Sequence, residues 1–187
     1  MRLFIAINFN DSTRDKLRGL RDDLRGRAAS GNYSKDENLH LTLVFLGECG
    51  AQQTSTITDI MDAVNFEPPD VIIERVGRFK RDGGDIWWAG VRENQRLSDL
   101  QSALTRMLSA EGFAVDKRKY SPHITLGREV VTNISPRSIE PFGETVNSID
   151  LMKSERIDGK LIYTAIYTRI KRASLTAPPA THVGSRE

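Results

Sequence analysis

The chain has 187 residues, 39% of them hydrophobic and 28% charged, with 27 basic side chains against 25 acidic ones. That is enough chain to bury a real core, and a net charge of +2 excludes a polybasic nucleic-acid wrapper and an acidic solvating chain. No apolar run approaches the ~18 residues of a membrane span. The single cysteine, Cys49, excludes an internal disulfide framework and a multi-cysteine zinc site, reads as a small loop residue, and fits a reducing, cytoplasmic setting.

The opening residues 2–9 are apolar and β-prone and read as a buried strand, too short for the core of a signal peptide. Asp11-Ser12-Thr13 then offers an N-cap cluster, and Leu17, Leu20 and Leu24 recur at helical spacing, so a first helix is expected to about Arg25 with Gly26 as its stop. Residues 28–38 are polar and loop-like. Leu39–Leu46 reads as a strand closed by Gly47. Ile57, Ile60, Met61 and Val64 mark a helix over 52–65, ended before Pro68-Pro69. Residues 71–79 and 85–91 form a hairpin across Arg81-Asp82-Gly83-Gly84. Leu97, Leu100, Leu104, Met107 and Leu108 place a third helix that stops at Gly112. His123–Gly127 is extended after Pro122. Two more strands are expected near 144–155 and 160–171 around Asp158-Gly159, followed by a flexible tail over 173–187. The expected order β-α-β-α-β-β-α-β-β-β, with frequent adjacent strand pairs, is α+β with largely antiparallel sheets. No linker divides residues 1–172, which read as one domain.

One short pattern occurs twice. His40-Leu41-Thr42-Leu43 and His123-Ile124-Thr125-Leu126 are both His-x-Thr-Leu, and they hold two of the three histidines in the chain. On a strand, residues i and i+2 share a face. His40 and Thr42 therefore point one way with Leu41 and Leu43 behind them, and His123 and Thr125 repeat this with Ile124 and Leu126 behind. If the two strands adjoin, two imidazoles and two hydroxyls converge. That set is poor for zinc, because no carboxylate joins the two nitrogens, and no metal or other cofactor is expected. It suits a phosphate: hydroxyls donate to its oxygens and imidazoles move protons. Both histidines start near pKa 6.5, so one protonated and one neutral ring coexist near neutral pH, and a bell-shaped pH–rate profile is expected. His182 falls in the expected tail and carries no role.

The blocks around these motifs resemble the two-histidine (2H) phosphoesterases, and more closely the RNA 2′,3′-cyclic phosphodiesterases formerly named 2′-5′ RNA ligases. The similarity lies in Arg2–Ile7, Glu37–Glu48 with the first motif, Trp88-Ala89-Gly90-Val91, and Tyr120–Arg128 with the second, in the family's order over about residues 1–170. Tyr33 stands where many relatives carry Trp, Asp36 where many carry Pro, and Gly127 where Ala is usual. The loop before Trp87 lacks the usual prolines. These departures touch the rim of the cleft and leave the catalytic groups intact.

The resemblance implies a two-lobed fold with internal pseudo-twofold symmetry and a central cleft. It also implies metal-independent hydrolysis of RNA 2′,3′-cyclic phosphate ends to 2′-phosphates. In that scheme His40 is the proton donor to the departing 3′ oxygen, His123 the proton acceptor from water, and Thr42 and Thr125 hold the phosphate. The same motifs would serve reversible 2′-5′ RNA end-joining, a small cyclic nucleotide or a 2′-5′ oligoadenylate. A module that only binds RNA ends is the non-enzymatic alternative. RNA or a nucleotide is the expected partner, a membrane is not, and a monomer is the default.

Other candidates surround the motifs. Arg128 follows Leu126 by two residues, so strand alternation is expected to be able to return it to the histidine face, where it would bind phosphate, with a surface ion pair as the competing reading. Tyr120, Tyr33, Phe45 and Trp88 are candidates to stack on a nucleobase. Phe45 continues the odd-numbered, core-facing series of its strand, which favours core. Trp87 and Trp88 face opposite ways, and one of them is core. Lys117-Arg118-Lys119, and Lys35, Arg78, Lys80 and Arg81, would either line a positive rim or remain solvated charges.

Overall fold

The computed structural model describes residues 1–171; the expected tail and His182 lie outside the described residues. The strands are β1 (Arg2–Asn8), β2 (Ser30–Tyr33), β3 (His40–Glu48), β4 (Asp70–Phe79), β5 (Asp85–Val91), β6 (His123–Val131), β7 (Arg137–Thr145), β8 (Ser148–Ile157) and β9 (Lys160–Ile170). The helices are α1 (Asp11–Arg27), α2 (Ala51–Ala63) and α3 (Gln95–Ala110). One four-stranded sheet runs β3-β1-β8-β9 and one five-stranded sheet runs β2-β6-β5-β4-β7. All the pairings described are antiparallel. The α+β class and the two sheets agree with expectation. The β1–α1–β3 and β5–α3–β6 units repeat one arrangement, each ending in a His-x-Thr strand paired to the strand that opened it.

Local chemistry sets the element ends. Helix α1 is capped one residue earlier than expected: the Asn10 side chain, not the Asp11 cluster, accepts from the Thr13 amide at 2.9 Å. It also runs through Gly26 to Arg27, because that glycine has space around it and the turn tolerates the entropic cost. Asn94 caps α3 in the same way through the Leu97 amide at 3.0 Å. Gly112, at φ +82°, takes the left-handed turn beyond α3 that other residues disfavour.

Two strands were not expected. Within the polar segment 28–38, β2 forms an edge strand on β6, where a backbone ladder suffices and apolar alternation is unnecessary. The 137–145 segment adds β7 to the edge beside β4, and its Pro141 is tolerated there because an edge strand leaves half its amides outside the ladder. The strand expected from 144 accordingly begins at Ser148.

The backs of both motifs are buried in one continuous core. Leu41, Ile124 and Leu126 are fully buried and Leu43 is 3% exposed. Around them pack Leu17 and Leu24 of α1, Ile57 and Met61 of α2, Leu100 and Leu104 of α3, and Trp87. Truncating one such leucine to alanine costs about 2–5 kcal/mol. Cys49 is buried here too, and its burial raises the thiol pKa. No described helix is long and apolar enough to cross a membrane.

Candidate active site

Each motif threonine backbone is tied by a hydroxyl that precedes the other motif in sequence. Tyr120, just before motif two, donates its hydroxyl to the Thr42 carbonyl at 2.9 Å. Ser34, just before motif one, donates to the Thr125 carbonyl at 2.7 Å. This reciprocal exchange fixes the two His-x-Thr strands relative to one another. The side-chain hydroxyls of Thr42 and Thr125 take no part in the hydrogen bonds found among the described residues, which leaves them available to a ligand.

The two histidines sit differently. His40 lies on the open face of the first sheet, against Phe4 (ring centroids 4.9 Å apart) and edge-on to Tyr163 (5.2 Å). Its Nδ1 is buried and in none of the hydrogen bonds found among the described residues, while the nearby Asn38 backbone favours the charged ring. Burial, with a contribution from the Arg128 charge, pulls His40 down to about 4. His123 packs edge-on to Phe79 at 5.1 Å and lies 6.3 Å from Trp88. Its Nδ1 stands 2.7 Å from the Ser121 carbonyl. A carbonyl only accepts, so Nδ1 carries the proton and Nε2 of the neutral ring is left as the acceptor. Burial and Arg128 lower His123 as well. Both rings are thus shifted below the ordinary value toward the neutral form, because apolar aromatics desolvate them and the Arg128 charge opposes a second positive one.

Arg128 turns to the histidine face by a different route from the one expected: strict alternation puts it in step with the buried Leu126 and would send it behind the sheet. Trp88 pairs with Thr125 but Trp87 pairs with Gly127, so Leu126 is an extra residue in β6. The bulge reverses parity: Gly127 turns to the helix side and Arg128 to the histidine side, where it is exposed and in none of the ion pairs found among the described residues. The Gly127 departure has its reason here, since a Cβ would meet Val130 at 3.0 Å and Tyr33 at 3.1 Å.

The other aromatic candidates scatter. Tyr33 pairs with Gly127 on the helix side, where Arg25 of α1 lies 5.8 Å from its ring, so it does not reach the histidine face. Tyr120 packs its ring on the core and commits its hydroxyl to Thr42, which makes it a strut between the motifs rather than a stacking platform. Phe45 overturns the parity argument: Leu43 is an extra residue in β3, so Phe45 pairs with Phe4 on the open face, 45% exposed, with Arg2 at 5.0 Å from its ring. Trp87 is the core member of its pair, and Trp88 pairs with Thr125 on the cleft face. Among the basic candidates, Arg78 is bound to Asp85 at 2.8 Å and Arg118 to Asp116 at 2.5 Å. Lys35 lies 3.9 Å from Glu37. Sequence reasoning missed Phe4, Phe79 and Tyr163, the rings that desolvate the histidines. Phe4 and Phe79 fall on the cleft face only through cross-strand register, and Tyr163 reaches His40 from β9. No group of three or more metal-ligating side chains occurs among the described residues.

Two β–α–β units whose His-x-Thr strands are roped together by reciprocal hydrogen bonds define the architecture of a two-histidine phosphoesterase. The family comparison agrees: residues 10–157 match the model of the 2′-5′ RNA ligase superfamily, and the chain belongs to it. It is 35% identical over 151 residues to a protein named RNA 2′,3′-cyclic phosphodiesterase from Archaeoglobus fulgidus, covering 77% of this chain and 85% of that one. It is 28% identical to a protein of the same name from Escherichia coli, over 94% of this chain and 97% of the relative. The fold is also that of Escherichia coli LigT solved with 3′-AMP, with a TM-score of 0.79 at 24% identity over 90% of this chain and 97% of that one. A Thermus thermophilus structure matches at a TM-score of 0.74 and 23% identity, over 93% of this chain and all of the other.

Proposed function

We propose that the protein is a metal-independent RNA 2′,3′-cyclic phosphodiesterase. The observation that carries this reading is the reciprocal pair of hydrogen bonds that holds the two His-x-Thr strands together, from Tyr120 to the Thr42 carbonyl at 2.9 Å and from Ser34 to the Thr125 carbonyl at 2.7 Å. Two imidazoles, two threonine hydroxyls and an arginine that is in none of the ion pairs found among the described residues suit a phosphate anion. The names of the relatives support the RNA-end substrate.

In the proposed reaction Thr42, Thr125 and Arg128 hold the non-bridging oxygens. His123 Nε2 takes a proton from water, and the hydroxide forms a bond to phosphorus. The bond from phosphorus to the 3′ oxygen breaks, and His40 gives that oxygen its proton, leaving a 2′-phosphomonoester and a 3′ hydroxyl. Burial favours the neutral form of His40, so the substrate loads the acid: the phosphate charge offsets Arg128 and raises the affinity of the ring for a proton. The Ser121 carbonyl holds His123 in the tautomer a base requires. The two imidazoles supply both proton transfers, and Thr42, Thr125 and Arg128 supply the phosphate contacts, so the proposed chemistry needs no metal ion.

The test is incubation with an oligoribonucleotide ending in a 2′,3′-cyclic phosphate, after exhaustive chelation, with analysis of the product end. A 2′-phosphate product is expected. Tight binding without turnover would favour an RNA-end binding module, and a 3′-phosphate or a strict metal requirement would overturn the mechanism.

A further inference from the structure

The second sheet carries a feature on its cleft face that the cyclic phosphate itself does not use. In β4, Ile73 pairs with Val91 and Arg75 with Gly90, so Glu74 is an extra residue and the strand bulges there. Core positions 71, 73 and 76 bracket it. Without the bulge Arg75 would share the buried face of Val71 and Ile73; with it, Arg75 turns to the cleft, its side chain 45% exposed.

The neighbours of Arg75 are shaped to let it lean toward the motif. Gly90, its partner on β5, pairs on the other side with His123. A Cβ on Gly90 would come within 2.8 Å of Arg75 Cγ and Nε, so the arginine stem lies across that glycine, in the direction of His123. The guanidinium carbon is 5.9 Å from the ring of Trp88, the partner of Thr125. Trp88 in turn lies flat on Gly77, where a Cβ would meet the ring at 2.2 Å. Two glycines and a bulge thus build one placement: a cation resting on an indole, one strand spacing, about 5 Å, beyond the His123–Thr125 row. Among the described residues the only carboxylate on it is Glu74, at a long 3.5 Å, and Glu74 is already bound by Arg92 at 2.8 Å.

We propose that Arg75, supported on Trp88, is a subsite for the backbone phosphate of the nucleotide preceding the cyclic end. The protein therefore selects an RNA chain over a cyclic mononucleotide. A cation one strand beyond the reacting phosphorus, on the same open face, meets the next phosphate of a polymer and nothing in a monomer. The inference rests on the phosphodiesterase reading for the direction of the chain, and the site itself is defined by the geometry of β4, β5 and β6.

The experiment compares Arg75→Met, which keeps an apolar cover on Trp88, and Arg75→Lys, which keeps the charge. The substrates are uridine 2′,3′-cyclic phosphate and an oligoribonucleotide ending in the same cyclic uridylate. Arg75→Met is expected to lower the ratio of oligonucleotide to mononucleotide kcat/KM about tenfold, through KM, with Arg75→Lys recovering part of it. The slope of log KM against log salt for the oligonucleotide should fall by about 0.7, the share of one phosphate contact on a single strand. Equal losses on both substrates, or none on either, overturn the subsite. Binding of the matching 2′-phosphate oligonucleotide and of uridine 2′-phosphate is measured alongside. If the wild type turns over neither cyclic substrate, the phosphodiesterase reading fails, and the binding ratio still decides the role of Arg75.

Discussion

The two lobes hold the same tetrapeptide and treat its histidine differently. His40 is wedged between Phe4 and Tyr163, with Nδ1 unpartnered among the described residues and its pKa driven to about 4. His123 is anchored through Nδ1 to the Ser121 carbonyl beside Phe79 and Trp88. An anchored, neutral ring is already a base. In the proposed reaction the more deeply desolvated ring becomes an acid when an anion arrives beside it. Under the proposed mechanism the division into acid and base would come from the residues packed around the motif, since the motif itself is the same twice.

The severest test of this contrast is His40→Ala and His123→Ala. Each should lower kcat by about 10²–10⁴ with circular dichroism and melting temperature preserved; activity in either near the wild-type level removes the mechanism. A medium-sized effect is expected for Arg128→Gln. It should cut kcat/KM by about tenfold or more through the lost charged contact. It should also move the kcat/KM bell to higher pH, because the arginine depresses both rings and its removal raises both. A pH profile that does not move would show that Arg128 is not shared between the two lobes.

Smaller effects separate the lobes further. Thr42→Val and Thr125→Val should each cost about five- to tenfold in kcat/KM, the worth of one hydrogen bond. Unequal losses would show which lobe carries the phosphate. Tyr163→Ala should raise the His40 pKa from about 4 toward the ordinary value of 6.5 by admitting water, and leave His123 in place, as read by NMR titration of the two rings. The same shifts set acid stability. Both folded-state pKa values lie below that of the unfolded chain, so the unfolded chain binds more protons below about pH 6.5. Stability is then complete above that pH and declines toward pH 4. His40→Asn should flatten that decline in a series of denaturant melts.

The residues read alone were enough for the two motifs, the class of fold and the side of each strand that packs inward up to the threonine. Leu41, Leu43, Ile124 and Leu126 are buried, as a period of two requires. They were silent on β2 and β7, whose ladders depend on a partner edge rather than on apolar pattern. What lies beyond each motif was settled by the pairing of strands. Three extra residues, Leu43, Glu74 and Leu126, each shift a strand by one against its neighbour and deliver Phe45, Arg75 and Arg128 to the open face. A strand's own residues do not say which of them will lack a partner, because a bulge belongs to the pair of strands and not to either one.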